Sequence, residues 1–152
     1  MRALPTAVFA WAVLLPVLAM AETGKPRMNI ACQMSVPATV TPGKPVALQF
    51  AMTNRSRQAV HVLTWNTPFE GFFGKYLQVT GPAGEVAYEG AMVKRGVPDR
   101  EDYRRLAPGA TISKSINLAT AYDLKAPGRY EVMFAGKLQD ATNGKIPRGF
   151  EE

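Results

Sequence analysis

Pro-Gly pairs and short polar turns cut most of this chain into runs of alternating apolar and polar residues, a pattern that leaves little room for helices. TPGKP precedes VALQFAMT, in which Val46, Leu48, Phe50 and Met52 face one way and their neighbours the other. Residues 54–57 form a polar turn, AVHVLTW follows, and KYLQV sends Leu77 and Val79 to one side. Gly81-Pro82-Ala83-Gly84 then turns the chain into EVAYEG, and PGATISKSINL and PGRYEVMFAG each open on Pro-Gly. Together with MNIACQMSV near the start, these runs predict an all-β fold: an antiparallel immunoglobulin-like β-sandwich of about seven strands. The only helical hints are a turn near residues 99–103 and another at 118–124. Tyr130, after a tight turn and at the start of a strand, resembles a tyrosine corner. Lys114 shares a face with Ile112, Ile116 and Leu118, and a charge there suits an edge strand, where it discourages further pairing.

The first residues, MRALPTAVFAWAVLLPVLAMA, have a basic start, an apolar run and a small-x-small exit at Ala19-Met20-Ala21. That is the form of a secretory signal peptide, read as residues 1–21, with no membrane segment after its cleavage. The expected division is then one β-sandwich over 22–140 and a flexible C-terminal tail over 141–152. The protein is expected to be exported, to the periplasm or the medium. Without Arg2, 17 basic residues stand against 12 acidic ones. The charges are scattered, and the densest stretch, MVKRGVPDREDYRR, mixes both signs, so a solvated face is expected and no nucleic-acid partner.

Cys32 is the single cysteine and cannot close a disulfide within its own chain. In MNIACQMSV the residues Met28, Ile30, Cys32, Met34 and Val36 fall on one strand face, so Cys32 is expected to be a buried, unreactive thiol. Catalysis finds few candidates. His61 is the only histidine, and both a zinc site and a Ser-His-Asp arrangement would have to use it. It lies mid-strand, on the face shared by Ala59, Leu63 and Trp65, where a satisfied histidine at the edge of the core is expected. Glu101 and Asp102 are adjacent acids in a charged turn, expected to be solvated. No Gly-rich phosphate loop is present. No catalytic residue, metal ligand or cofactor is expected.

One segment breaks the alternation. Residues 65–79 read WNTPFEGFFGKYLQV and place Trp65, Phe69, Phe72 and Phe73 in or beside a loop marked by Pro and Gly. Most of these rings are expected to fold over the end of the sandwich as a cap, since aromatic patches are seldom left bare without a partner. Trp65 and Leu63 are expected to point inward. Glu70 is expected to turn back to Lys94 or Arg95 and hold the loop shut.

Three segments, LTWNTPFEGFFGKYLQV, VAYEGAMVKRGVPDREDYRRLAPG and INLATAYDLKAPGRYEV, carry a family likeness. In their order and spacing, across about residues 33–134, the chain resembles the N-terminal, non-catalytic domain of deuterolysin-type zinc endopeptidases, the peptidyl-Lys metalloendopeptidase group. The WNTP-x-EG loop, the KRG-x-P…EDY segment and the YDL…PG-x-Y closure occur together. The family's His-Glu-x-x-His helix does not appear in this sequence. The resemblance therefore implies a fold like that of a protease pro-domain and a protein partner, with a metallopeptidase foremost, and not peptidase activity. The candidate protein-binding residues are Asn66, Thr67, Pro68, Phe69, Glu70, Phe72, Phe73, Lys94 and Arg95. Two alternatives stand beside this one: a proteinase inhibitor resembling the BsuPI type, and a protease of the same family lacking its zinc site. The final residues, KLQDATNGKIPRGFEE, lack period-2 alternation and carry Pro147. They are expected to leave the edge of the strand that contains Tyr130, Val132 and Phe134 only partly covered.

Overall fold

A computed structural model describes residues 28–143. The signal peptide read over 1–21 and the end of the tail, 144–152, lie outside the described residues. The fold is all-β, with three antiparallel sheets. In the first, β2 (Ala47–Asn54) is central, flanked by β1 (Ile30–Ser35) and β7 (Thr111–Asn117). Its alternation is the one read from the sequence: Leu48, Phe50, Met52 and Asn54 are buried, while Ala47 and Gln49 are exposed.

The other two sheets are joined through one stretch of chain. β4 (Leu77–Gly81) pairs with β8 (Glu131–Phe134), from Leu77 opposite Phe134 to Thr80 opposite Glu131. β3 (Val60–Leu63) pairs with β9 (Ala141–Thr142), Val62 opposite Ala141. Both are antiparallel to the segment that runs from β8 into β9. The pairing continues to the rim of the gap between them: Ala135 and Gly136 both donate to the Tyr76 carbonyl at 3.0 Å, and Leu63 donates to the Asp140 carbonyl at 3.0 Å. Residues 64–75 on one side thus face only residues 137–139 on the other. The aromatic loop is an excursion from the middle of a pairing, akin to a very large bulge. On the far side, β4 makes a tight hairpin with β5 (Gly84–Glu85), and β3 pairs with β6 (Tyr103–Leu106).

The core lies between these layers. Leu48, Phe50 and Met52 meet Val60, Val62, Leu77, Val79 and Leu106, all at most 1% exposed, and the Phe50 and Phe134 rings lie 5.5 Å apart. A 3-10 turn, Leu118–Thr120, closes one end, with Tyr122 donating to the Leu77 carbonyl at 2.8 Å. Tyr130 donates its hydroxyl to the Ala126 carbonyl at 2.9 Å, the bond of a tyrosine corner.

Four features depart from the sequence reading. Cys32 is exposed, as are Met28 and Val36; only Ile30 and Met34 of that face pack against the core. The reason is position: Cys32 pairs with the fully buried Met52, but β1 is an edge strand, with no strand beyond it among the described residues. Residues 103–106 form a strand rather than ending a turn. Tyr103 packs with Leu63 and Trp65 while Leu106 enters the main core, so the two bury opposite faces and blur the period. EVAYEG contributes only Glu85 to the two-residue β5, and a bridge from Tyr88 to Tyr122. The expected flexible tail starts at residue 141, yet Ala141 and Thr142 pair with β3, and Asp140 just before them accepts a 2.7 Å bond from the Tyr103 hydroxyl. Among the described residues, no strand lies beyond β8 or β9 in its sheet. Lys114 does sit on an edge strand, β7, where its ammonium donates to the Phe69 carbonyl at 2.9 Å.

Asn54 joins the layers. It is fully buried, and its amide nitrogen donates to the carbonyls of Gln58 (2.8 Å), Leu106 (3.0 Å) and Ala107 (3.2 Å), while its oxygen accepts from Ser56 N at 2.9 Å. Leucine would fill similar space and satisfy none of these groups. Asn54→Leu is expected to destabilise the fold by about 3 kcal/mol in urea unfolding, the scale of several buried groups left unpaired. For Cys32, burial around the sulfur pushes the thiol pKa above its ordinary value, so less thiolate exists at neutral pH. Labelling of Cys32 by a maleimide without denaturant is expected to go to completion, at a rate rising about tenfold per pH unit below that pKa.

Candidate functional site

The base of the excursion is tied down by Asp102. Its backbone carbonyl accepts from both the Thr64 N–H and the Thr64 hydroxyl, each at 2.9 Å. One carboxylate oxygen accepts from the Trp65 indole at 2.8 Å and the other from Asp99 N at 2.9 Å. Asp102 is therefore engaged on both oxygens, which corrects its reading as a merely solvated acid; Glu101 beside it is exposed. Trp65 is turned inward, 8% exposed, in a small cluster with Leu63 and Tyr103. Burial, and then the bond to Asp140, pushes the Tyr103 hydroxyl up to about 12, so it stays a donor at any ordinary pH.

Beyond Trp65 the chain reverses. Asn66 takes a positive φ of 55°, a conformation that asparagine tolerates better than most residues. Thr67 is fully buried, and its hydroxyl donates to the Thr64 carbonyl at 2.6 Å and accepts from Phe69 N at 3.2 Å. Pro68 follows, and its carbonyl accepts from Gly71 N at 3.2 Å. Glu70 then closes the turn: one carboxylate oxygen accepts from Asn66 N at 2.8 Å, and the other pairs with the Arg95 guanidinium. That guanidinium lies over the Trp65 ring, 5.0 Å from its centre. Of the two basic residues that the sequence offered for Glu70, Arg95 is the partner, and Lys94 is exposed, with no ion pair among the described residues.

The three phenylalanines divide. Phe69 meets Phe50 edge-on at 5.6 Å; Phe72 stacks on Tyr76 at 5.8 Å and meets Tyr122 edge-on at 6.1 Å. Both are half-buried parts of the core's cap. Phe73 is 46% exposed. Its carbonyl accepts from Val93 N at 3.2 Å, which brings the exposed side chains of Val93 and Met92 alongside it. These three line one side of an open groove of about 630 Å³, whose other side is Lys137, Leu138 and Gln139. The floor is tight: a Cβ on Gly136 would stand 3.0 Å from the Asn66 carbonyl oxygen and 3.1 Å from the Tyr76 Cβ. Tyr76, beneath, donates to the Gly71 carbonyl at 3.0 Å, and burial raises its pKa, so it too remains a donor.

Of the residues expected at the site, Asn66, Phe73 and Arg95 border this groove, Thr67, Pro68 and Glu70 shape the loop behind it, and Phe69 and Phe72 cap the core. Met92, Val93 and Lys137 were not anticipated. AMVKRG offers no alternation to mark Met92 and Val93, which the bond from Val93 to Phe73 places, and Lys137 is set there by the pairing of Ala135, Gly136 and Asp140 with the two rims of the loop. Chemically the groove holds amides, apolar side chains and ammonium groups. His61 lies on β3 opposite Arg105 and Thr142, and its Nδ1 is buried with no hydrogen-bond partner among the described residues, unlike the satisfied histidine expected. Among the described residues no three His, Cys, Asp or Glu side chains gather as a metal site would require. With a single histidine in the sequence, the donors of a His-Glu-x-x-His zinc centre do not fit this chain.

No protein-family profile matches the chain. It is similar to an "Extracellular protease" of Aeromonas hydrophila, 29% identical over 59% of this chain and 25% of that protein. It is also similar to a "Probable neutral protease 2 homolog" of Arthroderma benhamiae, 28% identical over 59% of this chain and 25% of the relative. A "Neutral protease 2 homolog" of Trichophyton verrucosum is 26% identical over 88% of this chain and 35% of its own length. The chain is thus related in sequence to proteases and spans a quarter to about a third of their length. Among the described residues no helix is long and apolar enough to cross a membrane.

Glu70 is 9% exposed and Arg95 29%. Glu70→Gln keeps the size of the side chain and removes its charge, leaving a half-buried guanidinium unpaired. We expect a loss of about 2 kcal/mol in urea unfolding, with hydrogen exchange faster at residues 66–71 than elsewhere.

Proposed function

We propose that this chain is an exported, non-catalytic binding module, similar to the part of a zinc endopeptidase outside its catalytic domain, and that it binds a peptidase and restrains or chaperones it. The observation that carries this is the loop itself. An excursion that a sheet has no need of is held rigidly by Asp102, Glu70, Arg95 and the Trp65 ring, and it presents Phe73 to solvent. Ordering a loop in advance lowers the entropy lost on binding, and an exposed aromatic on a fixed backbone is a typical anchor for a protein partner. The similarity to proteases over only part of their length supports a role in partnership with a catalytic unit. The name of the Aeromonas relative and the leader-like first residues support export.

The purified protein, alone, is expected to leave casein intact with or without added zinc. Mixed with the Trichophyton neutral protease 2 homolog, it is expected to form a stoichiometric complex in size-exclusion chromatography. Lower casein turnover in the complex would mark an inhibitor. Unchanged turnover with better recovery of the peptidase from denaturant would mark a chaperone. Chelator-sensitive cleavage by the repurified chain alone would overturn the proposal, as would the absence of a complex.

A further inference from the structure

The groove beside Phe73 has a chemistry that narrows the partner. One wall is apolar and accessible: Phe73, Met92 and Val93 are 46%, 73% and 41% exposed and adjoin one another. Methionine adapts its shape to an incoming side chain at little energetic penalty. The rim is basic. Lys75 and Arg95 border the groove but are paired with Glu85 (at 2.8 Å) and Glu70. Lys137 on the opposite wall and Lys94, between Val93 and Arg95 in the chain, are exposed and have no ion pair among the described residues. No carboxylate lines the groove, Glu70 and Glu85 are already paired, and Lys137, with no ion pair among the described residues, leaves the lining net positive, with Lys94 next to the lining residues Val93 and Arg95 in the chain.

We infer that this groove takes an acidic polypeptide segment that carries an apolar side chain, the apolar group lodging against Phe73, Met92 and Val93 and flanking carboxylates meeting Lys94 and Lys137. The inference rests on the binding-module proposal and specifies the partner's chemistry. Charge complementarity selects this occupant over a second copy of the chain, which would set like-charged rims against each other. The fixed loop behind Phe73 means that the apolar wall does not have to be assembled on binding.

Fluorescence anisotropy on the full chain would test this with three labelled peptides: Asp-Glu-Leu-Phe-Glu-Asp, the same with Leu-Phe replaced by Ala-Ala, and the same with every acid replaced by lysine. The acidic, apolar peptide is expected to bind one to one and at least about tenfold more tightly than the others, with affinity falling in about 0.5 M NaCl. Lys94→Glu combined with Lys137→Glu is expected to weaken it about tenfold, and Phe73→Asp to abolish it, with far-ultraviolet circular dichroism unchanged in both. Equal binding of the three peptides, or full affinity in Phe73→Asp, would overturn the inference. So would a dimer that Phe73→Asp dissolves in a protein that binds no peptide. The same peptide is also added to the complex with the Trichophyton protease homolog. A complex that forms and is untouched by saturating acidic peptide overturns the inference and leaves the binding-module proposal standing. Peptide binding without any complex does the reverse.

Discussion

A paired strand cannot take in residues 64–75 and remain paired unless both rims of the insertion are secured. Here Leu63 donates across to Asp140 on one rim, and Tyr76 accepts from Ala135 and Gly136 on the other. Everything distinctive about the molecule depends on that double closure. It lets β3 and β4 share one partner segment, it brings residues 137–139 opposite the loop, and it leaves little room at Gly136, where a Cβ would crowd the Phe134 ring and the backbone of Asn66. Inside the gap the Asp102 carbonyl takes the Thr64 N–H, and the side chains of Thr67 and Glu70 take the Thr64 carbonyl and the Asn66 N–H. Those bonds are why the loop is polar at its base in spite of its aromatic content.

The ion pair of Glu70 and Arg95 acts within this frame. A half-buried pair adds little net stability, because desolvation offsets most of the attraction. Its effect is specificity of conformation: the carboxylate is also bound by Asn66 N, and the guanidinium is also stacked on Trp65, so each charge has a second reason to stay where it is. The phenylalanines are sorted by the same geometry. Phe69 and Phe72 point back into apolar surroundings already made by Phe50, Tyr76 and Tyr122, while Phe73 is carried outward by the strand entering β4. Buried and exposed rings thus come from neighbouring residues of one loop.

The chain is related in sequence to proteases over a quarter to about a third of their length, and its single histidine is too few for a His-Glu-x-x-His site. The tyrosines of the core do not change this picture. Burial pushes Tyr76, Tyr103 and Tyr122 upward, each is committed to a carbonyl or carboxylate acceptor, and none is placed to give up a proton near neutrality.

Local pattern alone determined the strands that bury one face against the core. β2, β4 and β8 are where period 2 places them, because each residue's side follows from its neighbour's. The inward turn of Trp65 and the return of Glu70 to a basic residue in the KRG segment were also legible, since a short polar loop leaves a carboxylate few partners. Where the same rules failed, a distant contact had decided the outcome. Cys32 alternates like a core residue yet is exposed, because membership of an edge strand is a property of the sheet and not of the strand. Residues 103–106 and 141–142 become strands only because β3 offers both its edges, and Tyr103 and Leu106 bury opposite faces, which erases the period. Asp102 is an anchor rather than a solvated acid because Trp65 arrives beside it from far along the chain. The groove was invisible for the same reason: Phe73, Val93 and Lys137 belong to three separate stretches of sequence, and only tertiary pairing sets them around one space.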